Sequence, residues 1–148
     1  MHFDLVDRVV ELSADRIVTL KHVSAAEEYL QDHFPSFPVL PGVLMLEAMV
    51  QAARRLAEST GADGEVPLVL GRVRALKYGR FVRPGATLRV EVARAGPATA
   101  EAQEFKGEGS VIEPGSDERP TAVSGRFTLR PVRPVRPASG ATAMSGEQ

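Results

Sequence analysis

The stretch that most limits what this chain can become is residues 33–59, HFPSFPVLPGVLMLEAMVQAARRLAES. Three prolines, Pro35, Pro38 and Pro41, stand at three-residue intervals. Each locks its own φ, removes a backbone donor and biases the residue before it away from the helical region, so this segment is an extended, rigid loop. From Gly42 to about Ser59 the pattern changes to a period of 3.6. Val43, Leu46, Val50, Ala53 and Ala57 form one stripe, while Leu44, Met45, Ala48, Met49 and Ala52 cover most of the remaining circumference. A helix that is apolar nearly all round for three turns is expected to be buried, so other elements have to wrap it. Arg54, Arg55 and Glu58 make its far end polar, and Gly61-Ala62-Asp63-Gly64 ends it.

What is left to do the wrapping reads as strand. In residues 5–23, LVDRVVEL and RIVTLKHV are β-branched clusters parted by Ser13-Ala14-Asp15, which predicts a strand pair. Residues 24–32, SAAEEYLQD, suggest a short helical turn capped by Ser24 with Glu27 three positions on. Beyond the helix come VPLVLGRVRALKYGRF, ATLRVEVARA, TAEAQEFKGEGSVI and TAVSGRFTLRPV, separated by Arg83-Pro84-Gly85, Gly96-Pro97 and the loop 113–119. The alternation of Leu88, Val90 and Val92 favours half-buried antiparallel strands. Two strands, one long helix and four strands predict an α+β domain over residues 1–130, with a curved antiparallel sheet around the helix. Residues 131–148, rich in Pro, Arg, Ser and Gly, have little to bury and are expected to form a disordered tail.

Bulk properties narrow the function. A formal charge of -1 over 148 residues leaves no global basic field, which argues against nucleic acid as the main partner. The chain has no cysteine, so disulfides, thiolate catalysis and thiolate metal sites are excluded, in keeping with a cytoplasmic location. The N-terminus carries acids and lacks a basic lead into a long apolar run, so no secretion signal is expected. No run reaches the length of a membrane span. His2, His22 and His33 lack zinc-ligand spacing, and neither a nucleophile elbow nor a Gly-rich phosphate loop occurs.

Chemistry concentrates at the loop–helix junction. Glu47 is a single carboxylate on the stripe of Val43, Leu46 and Val50; burial disfavours the charged form of a carboxyl, so a group so placed can serve as an acid. The competing reading is a Glu that faces solvent or pairs with an arginine. His33, at the mouth of the rigid loop, has a side chain suited to a base at neutral pH, although a lone histidine beside Phe and Pro is more often a packed, hydrogen-bonded group. Pro41-Gly42 opens the helix, and the free N–H groups there, with the helix dipole behind them, can hold an anion or oxyanion close to a glycine without a Cβ. Base, acid and oxyanion site are the three parts needed to eliminate water from a 3-hydroxyacyl thioester.

Here the stretch resembles a known family, the FabZ-type 3-hydroxyacyl-acyl-carrier-protein dehydratases, whose signature is H-F-P-x-x-P-x-x-P-G-V-L-x-x-E-A-x-x-Q. The matching residues are His33-Phe34-Pro35, Pro38, Pro41-Gly42-Val43-Leu44, Glu47-Ala48 and Gln51. The likeness extends to residues 5–9 and more loosely to 78–88, covering about residues 3–130. It implies a hotdog fold and a homodimer, possibly a trimer of dimers, whose sites join His33 of one subunit to Glu47 of the other. It also implies a substrate carried on the phosphopantetheine of acyl carrier protein, no metal and no organic cofactor. By the same likeness Pro41, Gly42 and Val43 form the oxyanion site and Gln51 is a structural polar group. Glu at position 47 resembles the dehydratase branch rather than the dehydratase/isomerase branch, which has Asp, so isomerisation is not predicted.

The sequence departs from the family at Asp32, Ser36 and Ala86; a serine where glycine with positive φ is usual would shift the His33 loop. Arg72, Arg74, Lys77, Arg80 and Arg83 gather positive charge after the helix, with Lys77, Arg80 and Arg83 as candidates for docking the acidic carrier protein, against the plainer reading of a solvated strand face. Two rivals remain: a hotdog thioesterase, in which a helix carboxylate activates water but His33 has no task, and a non-catalytic acyl-binding hotdog subunit.

Overall fold

The computed structural model describes residues 3–61 and 66–133. Six strands and one long helix make it up. Strands β1 (Arg8–Leu12) and β2 (Arg16–His22) precede a 3-10 turn at Glu28–Leu30, helix α1 follows at Gly42–Ser59, and β3 (Leu68–Tyr78), β4 (Thr87–Arg94), β5 (Gln103–Ile112) and β6 (Thr121–Pro131) complete the chain. All neighbours are antiparallel, in the order β1-β2-β4-β5-β6-β3. The helix meets β2, β4, β5, β6 and β3 on one face of the sheet. This is the hotdog arrangement: a sheet curved around a central helix.

The alternation read from β4 holds, with Leu88, Val90 and Val92 fully buried against Ile17, Phe105, Val111, Val123, Phe127 and Leu129 of the neighbouring strands. At Gly107, in the middle of β5, helix and sheet come close: a Cβ there would lie 2.6 Å from Met49 Sδ, so a larger residue would require the Met49 side chain to shift.

Three local expectations change. Ser24 does not start the 3-10 turn, whose N-cap is Glu27. Instead the Glu27 carboxylate accepts the Ser24 N–H at 2.9 Å and Ser24 Oγ accepts the Ala26 N–H at 3.1 Å, closing a separate turn upstream. The helix entrance is also less buried than its composition suggested. Val43 is 69% exposed, and Leu44 and Leu46 are half-buried, because the sheet covers the opposite face, where Met45, Ala48, Met49, Ala52, Ala53 and Leu56 lie. Finally, Ser36 does not take the left-handed backbone that glycine would favour: Ala75, at φ 51°, is the sole non-glycine residue with positive φ among the described residues. At the C-terminus β6 runs through Pro131, and the Val132 N–H donates to the Pro67 carbonyl at 3.0 Å; the rest of the expected tail, residues 134–148, lies outside the described residues.

Candidate active site

The proline loop does what its composition demands. With prolines removing donors, the remaining backbone groups close on each other: Val39 N–H donates to the His33 carbonyl at 3.0 Å, Leu40 N–H to the Val82 carbonyl at 2.8 Å, and Phe34 and Phe37 exchange two hydrogen bonds of 3.1 Å. His33 is thereby held half-buried, with Nδ1 3.0 Å from the Val39 carbonyl oxygen. A carbonyl can only accept, so this contact puts a proton on Nδ1, and in the neutral imidazole the lone pair is then on Nε2. The Phe34 ring stacks on the imidazole, centroids 4.5 Å apart.

Pro41 is the N-cap of α1, and its carbonyl accepts from Leu44 and Met45. Among the described residues the Gly42 and Val43 N–H groups have no hydrogen-bond acceptor, as the first turn of any helix requires unless something caps it. Gly42 is glycine for a reason internal to the chain. A Cβ there would sit 2.8 Å from Cε1 of Tyr78, so a side chain at this position would require the Tyr78 ring to move.

Glu47 projects from the second turn, its side chain 36% exposed. Its own chain does not supply the packed surroundings expected for it, since Val43 beside it is bare. The Gln51 amide donates to Glu47 Oε1 at 3.2 Å, and the Arg54 guanidinium lies 3.8 Å from the same oxygen. Gln51 also holds the N-terminal segment: its Oε1 accepts the Leu5 N–H at 2.7 Å, and its Nε2 donates to the Phe3 carbonyl at 3.1 Å. Gln51 is thus a structural polar group that also fixes a carboxylate oxygen of Glu47. Beside it runs an open groove of about 380 Å³, lined by Phe3, Asp4, Gln51, Arg54, Arg55 and Glu58. The arginine contact was half anticipated as the alternative to burial; that it comes from Arg54, two turns along, only the helix geometry shows.

No hydrogen bond or ion pair joins His33 to Glu47 within the chain among the described residues. The basic residues are scattered in their engagements. Arg74 is ion-paired with Glu104. Lys77 lies opposite Ser124 in the β3–β6 ladder, and Arg80 shares a groove with Glu113 and Glu118. Arg83 lies over the Phe37 ring, 4.6 Å from its centroid, a contact that sequence spacing did not announce. No helix among the described residues is long and apolar enough to cross a membrane, and no cluster of three or more His, Asp or Glu side chains among them is placed to hold a metal ion.

Comparison with known proteins bears on this geometry. A family model described as a FabA-like domain matches residues 1–113. A 3-hydroxyacyl-[acyl-carrier-protein] dehydratase FabZ of Oenococcus oeni is 47% identical over 90 residues, which is 60% of this chain and 64% of that protein. The FabZ of Rhizorhabdus wittichii is 49% identical over 92 residues, 60% of this chain and 59% of the relative. The chain therefore spans about three fifths of the length of these relatives. In structure it is similar to the dehydratase heterocomplex ApeI:P from Xenorhabdus doucetiae, with a TM-score of 0.59 at 16% identity over 87% of this chain and 99% of that one, a likeness of fold.

Proposed function

The chain belongs to the FabA-like family, and from that premise we propose that it dehydrates (3R)-3-hydroxyacyl groups on acyl carrier protein to trans-2-enoyl groups, a step of fatty acid biosynthesis in the cytoplasm. The observation that carries this reading is the Nδ1 contact of His33 with the Val39 carbonyl, which leaves Nε2 as a free base on a rigid loop.

In this reading His33 Nε2 takes the proton from the carbon next to the thioester carbonyl. The electron pair moves toward the carbonyl oxygen, where the unpartnered N–H groups of Gly42 and Val43 stabilise the developing enolate, with Pro41 setting their direction. As the double bond forms, the 3-hydroxyl leaves as water with a proton from the Glu47 carboxyl. His33 has gained one proton and Glu47 has lost one, and transfer through water restores both. The phosphopantetheine arm supplies the thioester, and no metal or organic cofactor takes part.

A homodimer completes the site in this proposal, His33 of one chain facing Glu47 of the other. Its support is what one chain leaves open: the bare first turn at Val43, the half-exposed Glu47, the exposed rings of Tyr78 and Phe81, and β3, an edge strand of 11 residues paired only with β6. Assembly into a trimer of dimers is compatible with it. The acidic carrier protein would dock on the basic side formed by Lys77, Arg80 and Arg83. One assay separates the possibilities: a 3-hydroxyacyl carrier-protein thioester is supplied while enoyl product and free thiol are followed separately. Enoyl formation is expected; free thiol alone would select a thioesterase, and neither product an acyl-binding subunit. Mixing inactive His33→Gln and Glu47→Gln chains should restore part of the activity, and an absence of rescue would place the site within one chain.

A further inference from the structure

The proline loop is braced from outside as well as by its own backbone. Phe37 occupies one of the free positions of the signature, and its ring is 39% exposed. The Phe81 ring meets it edge-on, centroids 5.8 Å apart at 77°, and the Arg83 guanidinium covers it at 4.6 Å. Phe81 and Arg83 flank Val82, whose carbonyl accepts the Leu40 N–H, so loop and β3–β4 connection are joined by side chains and backbone at the same place. On its other side Phe37 is tied by two hydrogen bonds to Phe34, whose ring stacks on the His33 imidazole. A continuous line of contacts runs from Arg83 through Phe37 and Phe34 to His33.

We infer that Phe37, Phe81 and Arg83 form a clamp that positions the His33 imidazole for proton abstraction. They are positioning residues, acting through the loop and touching no reacting atom. The inference rests on the dehydratase reading and deepens it. The Val39–His33 and Leu40–Val82 hydrogen bonds fix the ends of the segment, while Phe34 and Phe37 between them bond to each other. A brace on Phe37 therefore limits how far the segment beside the imidazole can move, and small displacements of a reacting group are costly in rate. The clamp gives Arg83 a task in addition to docking, since its guanidinium lies over the Phe37 ring.

The test uses the full chain with two substrates, a 3-hydroxybutyryl thioester on carrier protein and the same acyl group on N-acetylcysteamine. Phe37→Leu and Arg83→Gln are expected to lower kcat about tenfold on both substrates, with KM for the small thioester within about twofold of wild type and an unchanged melting temperature. Arg83→Lys, which keeps a cation over the ring, should recover most of the loss. Unchanged kcat, or an effect of Arg83→Gln confined to KM for the carrier-protein substrate, would overturn the clamp in favour of docking. The imidazole nitrogen resonances, assigned to His33 by their loss in His33→Gln, give a readout that needs no turnover. They should show the Nδ1–H tautomer in wild type and a mixture in the two clamp variants. If wild type dehydrates neither thioester, the dehydratase reading falls while the clamp is judged by these resonances, and their identity in wild type and variants would overturn it.

Discussion

The two faces of α1 began from the same apolar composition and ended differently. On the packed face Ala48, Met49, Ala52, Ala53 and Leu56 are fully covered by five strands of their own chain, with Gly107 recessed to let the helix settle. On the open face Val43 stands in solvent, Glu47 is half-exposed, and only Gln51 and Arg54 attend it. The packed face is what makes the domain fold. In the proposed reading the open face carries the chemistry, and its apolar residues are the surface that a second chain would cover. Hydrophobicity at a helix position therefore does not by itself say that the same chain covers it.

If that division is right, substitutions on the two faces should separate activity from stability. The largest effect belongs to the open face: Glu47→Gln should lower enoyl formation by about 10³-fold or more, about 4 kcal/mol in barrier, with an unchanged melting temperature. A parallel fall in melting temperature would show that Glu47 supports the fold. Next in size, Leu56→Ala on the packed face should cost about 3 kcal/mol of stability, measured by urea unfolding. Gln51→Leu joins the two faces. It deprives the Leu5 N–H of its acceptor and Glu47 of its donor, so a loss of about 2 kcal/mol in stability should accompany a fall in activity. Val43→Ser should change folding stability by no more than about 0.5 kcal/mol yet weaken self-association, read by sedimentation; tight dimers in that variant would mean that the open face is not the interface.

The smallest change concerns the packed side's acid-sensitive joint. Burial pushes the Glu27 carboxyl up, but its hydrogen bond with Lys21, whose ammonium lies 2.7 Å away, together with the Ser24 N–H, holds it below its ordinary value overall. A carboxyl lowered in the folded state stabilises the protein above its unfolded pKa and loses that contribution as the pH falls through the folded one. Glu27→Gln should thus be less stable than wild type at pH 7, the difference shrinking on acidification below about pH 4. A difference that stays constant down to pH 2 would mean that lost packing, not charge, is responsible.

Much of this was legible in the residues. The prolines and the switch to a 3.6 period set the loop and the helix bounds, because fixed φ angles and side-chain periodicity are local facts. The β4 alternation read correctly for the same reason. The Ser24 turn was misplaced because a Ser-x-x-Glu pattern closes turns as well as helices. Of the five basic residues grouped in sequence, Arg74 pairs with Glu104 and Arg83 lies over Phe37, engagements that the spacing did not announce. Ser36, which stands where glycine with positive φ is usual in the family it resembles, does not have a left-handed backbone.

By itself, then, the sequence determined the kinds of element, the order in which they come, and the inventory of a histidine, a carboxylate and a helix start within fifteen residues. Only the tertiary structure decided which strand lies beside which, that the Tyr78 ring lies next to Gly42, that Gln51 links Glu47 to the N-terminal segment, and that Phe81 and Arg83 close on Phe37. The reason is physical. Torsion limits and periodicity act between near neighbours along the chain, whereas these contacts join residues dozens of positions apart, whose meeting depends on how the whole sheet curls around the helix.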